Sequence, residues 1–357
     1  MVSFIISLDN SYAMTENFFA IFLKNKFVAT SEVIVVLDGV SNENIITYCK
    51  SLEKKHENVK LFYISKVGYG KANNFGVQQS TGEYIYFINS DIFAEEDCFE
   101  KMHLKLTTEN VACVQPLLIY PQTNLVQCAG TFFGPYFKDH LFDGNKADAP
   151  IVQVENKRQA LTSALYAMRK DTFLEFGGFD EFYYNKLESF ELSYKLTLAG
   201  RVCLYLPSAR AWHSRGGGRS KYTFDFRQQE SYFWTRYGPS VNPDISNYLN
   251  QQINENIASH SYYTVMMSQI RSWKDILSKT PLQVSQYVEM PWISPGSFNL
   301  WDIFPSEIMR YKNPLALIVE SIRHLHDNSQ WFKFRNNPCD IAIDSYANVV
   351  NISDYIN

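Results

Sequence analysis

"GYGKANNFGVQQSTGEYIYFINSD", residues 68–91, joins a glycine-punctuated loop, a helical stretch and an apolar strand, and ends on a carboxylate. Residues 68–80 read as a loop entering a helix. Residues 83–90 read as a strand, because aromatic and β-branched residues crowd them. Upstream, "VSFIISL" (2–8), "EVIVVLDG" (32–39) and "KLFYIS" (60–65) are three further strands, with helices expected at about 14–24 and 43–56. Strands alternating with helices imply an α/β domain with a parallel sheet. Ligands of such sheets bind at the carboxyl ends of the strands. Asp38 and Asp91 both lie at such ends.

Downstream, 95–108 reads as a helix, and the polar stretch 138–150 as a mobile flap. Residues 160–180 give a strand, a short helix and a turn. Residues 188–200 form a helix closed by Gly200, and 201–207 a strand that leads into "AWHSRGGGRS" (211–220). Beyond about residue 240 the character changes. Residues 241–280 are polar and Tyr-rich with helical spacing, and 281–314 carry five prolines and read as an irregular wrap. Residues 315–327, "LALIVESIRHLHD", read as an amphipathic helix with Leu317, Val319, Ile322 and Leu325 on its apolar stripe.

The 357 residues exceed one typical core, so one large domain with an appendage, or two domains, is expected. A net charge of −4 gives no basic field for nucleic acid. The 26 Phe and 23 Tyr point first to a well-filled core and second to rings that stack on sugars. Cys49, Cys98, Cys113, Cys128, Cys203 and Cys339 contain no C-x-x-C pair. That argues against a zinc cluster or disulfide scaffold and for reduced thiols in a cytoplasmic protein. No basic n-region opens the chain and no window nears the ~20 apolar residues of a spanning helix. Contact with the inner face of a membrane and homo-oligomerisation stay open.

Four constellations could carry chemistry. Asp91 suits a hard divalent cation, or else caps a turn. His213, ahead of three glycines with Arg215 and Arg219, suits a metal or a diphosphate, or else lies on a linker. Glu188 and Glu191, at i and i+3 of one helix, share a face on which one could act as a general base, or else Glu188 favours the helix start and Glu191 pairs with Lys195. The glycines of 68–76 do not make G-x-G-x-x-G, and no P-loop or G-x-S-x-G motif occurs.

In their order these segments resemble the inverting family 2 glycosyltransferases. "EVIVVLDGVSNE" is similar to that family's "EIIVVDDGSTD". Residues 68–91 resemble its N-x-G loop and acidic metal motif, nearest the rhamnosyl- and galactofuranosyl-type branch with "NN" and "NPD". Residues 160–218 resemble its acceptor half, with the "GGFDE" turn, an acidic helix and a terminal His. The likeness spans about 2–220. It implies a GT-A fold, a mostly parallel central sheet flanked by helices, over 1–238, and leaves 239–357 as a mainly helical or irregular extension.

The resemblance also implies roles. Asp38 matches the acid at the nucleobase or ribose, and Asp91 the metal-binding acid. Asn89 takes the first D-x-D position, with Ser90 between them. His213 matches the metal or diphosphate histidine, while Asn74 and Arg215 fall on the donor side. Phe179 and Asp180 fall in the acceptor-side turn. Ser189 stands where the family keeps its catalytic Asp, so Glu188 or Glu191 takes that role, or catalysis is absent. The implied reaction uses a nucleotide-diphosphate sugar, Mg²⁺ or Mn²⁺, and a hydroxyl of a glycan, lipid-linked or glycoprotein acceptor. The rivals are a silent GT-A subunit used for binding or assembly, and a nucleotidyltransferase, whose Gly-rich N-terminal loop is missing.

Overall fold

The computed structural model of the protein describes residues 1–8, 11–108, 110–214, 226–289, 312–327, 329, 335 and 337–355. The chain divides into two compact units: residues 1–131 with 152–241, and residues 132–151 with 242–357.

The first unit opens with β1 (Val2–Leu8), α1 (Tyr12–Phe22), α2 (Lys26–Ala29), β2 (Glu32–Asp38), α3 (Glu43–Lys55), β3 (Val59–Ile64), α4 (Tyr69–Gln79), β4 (Tyr84–Ile88) and β5 (Ile92–Ala94). It continues with α5 (Cys98–Thr108), β6 (Cys113–Ile119) and β7 (Val126–Cys128); the two-stranded ribbon of β8 (Thr131–Phe133) and β9 (Lys138–His140) comes next along the chain and, apart from Thr131, belongs to the second unit. After β10 (Asn156–Lys157) come β11 (Leu165–Arg169), α6 (Lys170–Glu175), α7 (Glu188–Leu198), β12 (Cys203–His213) and α8 (Phe226–Tyr237).

Its sheet has the order β10-β12-β6-β11-β4-β1-β2-β3. The β3-β2-β1-β4 part is parallel, and β11 runs antiparallel between β4 and β6. Strand order reverses between β1 and β4, and the crevice at such a reversal is where open α/β sheets bind ligands. Both faces are covered. Phe4, Ile6, Val33 and Val35 face one apolar cluster, and Ile5, Ile34, Val36 and Phe87 the other. That explains the β-branched run Val33–Val36 of β2 and the mainly apolar sequence of β1, since a parallel strand buried on both sides has no solvated face. The phenylalanines mainly fill these cores; Phe4 meets Phe22 and Phe99 edge-to-face at 5.1 and 4.9 Å.

The second unit differs from the extension expected by sequence. It contains α9 (Ile245–Asn250), α10 (Glu255–Ala258), β13 (Ser261–Met266), α11 (Trp273–Ser278), β14 (Gln283–Glu289), β15 (Leu315–Val319), a short helix at Arg323–Asp327, β16 (Ile341–Asp344) and β17 (Val349–Asn351). A five-stranded sheet, β14-β13-β15-β16-β17, organises it, parallel except at β17. Residues 315–327 are therefore not one amphipathic helix. "LALIV" is buried at all five positions, as a central parallel strand requires, and periodicity over so short a run cannot separate the two forms. Part of the Pro-rich stretch is the edge strand β14, and 290–311 lie outside the described residues. The expected flap at 138–150 is also corrected. Leu141, Phe142 and Asp143 are buried, and Asp143 pairs with Arg323 of the same unit. Among the described residues no helix is long and apolar enough to cross a membrane.

Candidate active site

Asp91 sits in a four-residue turn at the carboxyl end of β4. The Ile92 amide donates to the Asn89 carbonyl at 3.2 Å and closes the turn, and the Asn89 amide anchors it to Ala164 at 3.0 Å. Asn89 and Ser90 are half-buried, while Asp91 is 8% exposed. Directly after the turn, β5 pairs antiparallel with the end of β12, placing Ile92 opposite His213. The Ser214 amide donates to the Asp91 carbonyl at 3.0 Å. This ladder brings Nε2 of His213 to 3.2 Å from Oδ1 of Asp91.

Asp38 ends β2 and is 4% exposed. Its carboxylate accepts from Lys66 Nζ at 2.7 Å, the Val67 amide at 2.6 Å and the Gly68 amide at 3.1 Å. It therefore shapes the loop that enters α4. Gly68, the N-cap of α4, has φ +89°, and a Cβ there would lie 2.6 Å from the Tyr184 ring, so only glycine fits. In α4, Asn73 donates to Tyr69 and Ser7. Asn74 was expected on the donor side. Its amide is instead committed to the turn before α7, donating to the Phe179 carbonyl at 2.9 Å and accepting from the Phe179 amide at 3.0 Å.

Glu188 and Glu191 begin α7 and have different surroundings. Glu188 is 3% exposed and packs against Gly70, where a Cβ would approach Glu188 Cγ to 3.1 Å. Burial pushes its carboxyl up to about 7, against the pull of nearby backbone N–H groups of Glu188, Asn185, Lys186 and Gly70. Among the described residues its Oε1 has no hydrogen-bond partner. Glu191 is fully buried, and burial raises its pKa too. It accepts from the Tyr237 hydroxyl, with Lys195 Nζ at 3.5 Å and Arg236 Nη1 at 3.8 Å. Arg236 and Tyr232 also bind Asp180, at 2.7 and 3.1 Å. Glu191 and Asp180 thus fasten α8 to α7 and to the turn. A cleft of about 420 Å³ opens beside this region, lined by Lys66, Lys71, Phe182, Tyr184 and Gln228 among others.

Residues 3–222 match the family model described as "Glycosyltransferase like family 2". The chain belongs to this family. The family 2 chain is 22% identical over 291 residues to the O-antigen biosynthesis protein RfbC of Myxococcus xanthus, covering 77% of this chain and 22% of that protein. It is 24% identical over 197 residues to polypeptide N-acetylgalactosaminyltransferase 8 of Drosophila melanogaster, covering 51% of this chain and 32% of that protein. The match therefore spans only about a fifth to a third of these relatives' own length. Among solved structures, GalNAc-T7 with UDP, GalNAc and Mn²⁺ aligns with a TM-score of 0.54 at 15% identity, over 80% of this chain and 55% of that one. S. aureus TarS 1-349 in complex with UDP-GlcNAc aligns with a TM-score of 0.50 at 16% identity, over 71% and 72%. These likenesses show the GT-A fold.

In this family 2 chain the fold brings Asp91 and His213 together and sets Asn89 and Ser90 in the same turn. Arg215, Arg219 and the three glycines lie outside the described residues. Among the described residues no group of three or more His, Cys, Asp and Glu converges. A divalent cation would take two protein donors, one carboxylate oxygen and one imidazole nitrogen. One hard carboxylate oxygen and one imidazole nitrogen, 3.2 Å apart, are donor types that such a cation takes. Sequence reasoning missed Gln127, Lys66 and the α8 residues Tyr232, Arg236 and Tyr237. Gln127 had a signal, a lone amide inside the apolar run of residues 125–129.

Proposed function

We propose that this protein is an inverting glycosyltransferase that moves a sugar from a nucleotide-diphosphate donor to an acceptor hydroxyl, with Glu188 as general base. The observation that carries the reading is Glu188 itself. It has one unpartnered oxygen and a pKa near the working pH of a base, on the first turn of α7 and against the start of α4. Glu191 also has one oxygen without a hydrogen bond among the described residues, but its other oxygen takes the Tyr237 hydroxyl and Lys195 and Arg236 lie close by, so it serves as a positioning residue. The donor lies at the crevice between β1 and β4. Asp38 holds the loop 66–68 beside it, and Asn89 and Ser90 supply polar atoms from the metal turn. Asp91 and His213 would hold Mg²⁺ or Mn²⁺, which would supply positive charge against the leaving diphosphate. Glu188 takes the acceptor proton, and the freed oxygen attacks the anomeric carbon on the face opposite the nucleotide. The acceptor is a hydroxyl of a glycan, free or carried on a lipid or protein.

The test is release of nucleoside diphosphate from a panel of sugar nucleotides with Mn²⁺ present. Asp91→Ala and Glu188→Gln are each expected to abolish turnover. Wild-type rates in both variants would reject the reading. One observation favours a second reading, a donor-binding subunit without turnover: Ser189 stands where the family has its catalytic Asp. Donor binding with no turnover against any acceptor would support it.

A further inference from the structure

We infer that Gln127 is the positioning residue that sets which nitrogen of His213 faces the metal site; this rests on reading Asp91 and His213 as metal ligands. Gln127 is 1% exposed and lies in β7. Its Nε2 donates to the His213 carbonyl at 3.0 Å, and its Oε1 lies 2.5 Å from His213 Nδ1. The two contacts together fix the proton. A main-chain carbonyl only accepts, so the NH₂ end of the amide must face it. Oε1 must then face Nδ1, and because a carbonyl oxygen also only accepts, Nδ1 must carry hydrogen. Reversing the amide would set two acceptors against each other at one end. In the neutral ring, Nε2 is left as the lone pair, facing Asp91 Oδ1 at 3.2 Å. Two acceptors so placed call for positive charge between them, supplied by a proton on Nε2 or by a metal ion that takes its place.

The backbone shows the same arrangement. In the β6–β7 pairing Leu118 faces Cys128 and Ile119 faces Val126, so Gln127 is the extra residue of a β-bulge. A bulge re-aims the side chain that it carries. Here it turns an amide out of an otherwise apolar strand onto a residue 86 positions away. Gln127 acts through His213, to which both ends of its amide bond.

Two readouts test this on the full chain: the ¹⁵N signature of the His213 ring without metal, and the Mn²⁺ dissociation constant with broadening of that ring's signals. Wild type is expected to carry the ring proton on Nδ1. Gln127→Leu should lose that preference and bind Mn²⁺ about 10–100-fold more weakly. Gln127→Glu keeps an acceptor for Nδ1–H but sets its second oxygen against the His213 carbonyl, so it should hold the ring proton on Nδ1 and bind Mn²⁺ between Gln127→Leu and wild type, which separates positioning from packing. Equal Mn²⁺ affinity in wild type and Gln127→Leu, or an Nε2–H ring in metal-free wild type, overturns the inference. If Mn²⁺ leaves the His213 signals of wild type unbroadened, the metal reading falls and takes this inference with it. Broadening with unchanged affinity in Gln127→Leu removes the role of Gln127 alone.

Discussion

Asn74 holds Phe179 by both of its backbone groups, giving a hydrogen bond to the carbonyl and taking one from the amide. This is the exchange that paired residues make in an antiparallel ladder, performed here by one side chain. It ties α4, on the donor side, to the turn that leads into α7. Asn74→Ala should cost about 1–3 kcal/mol, because it orphans backbone groups of a residue that is 1% exposed. Urea denaturation measures the loss. A variant as stable as wild type would show that water replaces the amide at no cost.

Glu188 gives a pH prediction with a definite sign. Its carboxyl titrates near 4.5 in the unfolded chain and about 7 when folded. Between those values the folded protein keeps a proton that the unfolded chain has lost. The contribution to stability is therefore full below about 4.5, declines as pH rises, and is gone above about 7. Glu188→Gln removes that decline. It should be more stable than wild type at pH 8 by on the order of 3 kcal/mol, with little difference at pH 4.5. Denaturation at the two pH values decides it. In the active enzyme the same group should give kcat/KM a rising limb centred near pH 7; a limb near 4.5 would remove Glu188 as base.

Gly70 offers a probe that leaves the carboxylate in place. An added methyl would stand 3.1 Å from Glu188 Cγ, so the glutamate must shift by a few tenths of an ångström. Within α4, alanine is otherwise favoured over glycine by about 0.5–1 kcal/mol. Gly70→Ala should keep a melting temperature close to that of wild type and lose roughly tenfold in kcat. Unchanged kcat would mean that the position of Glu188 is not critical.

Asp344 holds the second unit together from within. It is fully buried and accepts from the Ile322, Tyr346 and Asn348 amides and from Asn348 Nδ2, at 2.9–3.0 Å. Asp344→Ala strands these donors and should cost about 3–5 kcal/mol. Hydrogen exchange should quicken first in peptides of 315–355. Quickening confined to residues 1–131 would contradict the assignment.

Much of the first unit could be read from sequence because its strands are buried on both faces. β4 is apolar throughout, β1 and β2 carry apolar stretches of three and five residues, and polar residues follow all three. Of the candidate site residues, Asp91 and His213 could be singled out because each stands alone at the end of an apolar strand, and the fold sets their side chains 3.2 Å apart. The site was not legible where a role depends on a partner far along the chain. Nothing near Asn74 announces Phe179, and nothing near Glu191 announces Tyr237. Equal spacing made Glu188 and Glu191 look interchangeable, and only their neighbours separate them. In the second unit "LALIV" was read through the polar residues after it, so a strand and a short helix merged into one helix.

The second unit is interrupted in sequence, because residues 132–151 belong with 242–357 although ninety residues of the first unit, 152–241, come between them. A growing chain makes Phe132, Phe133, Leu141 and Phe142, all buried in the finished protein, about two hundred residues before the last strands of their own core. At 5–20 residues per second that is a wait of roughly 10–40 s. During that time these side chains have no permanent cover. The length of that interval, and the chaperones that occupy it, would set how much protein a cell recovers.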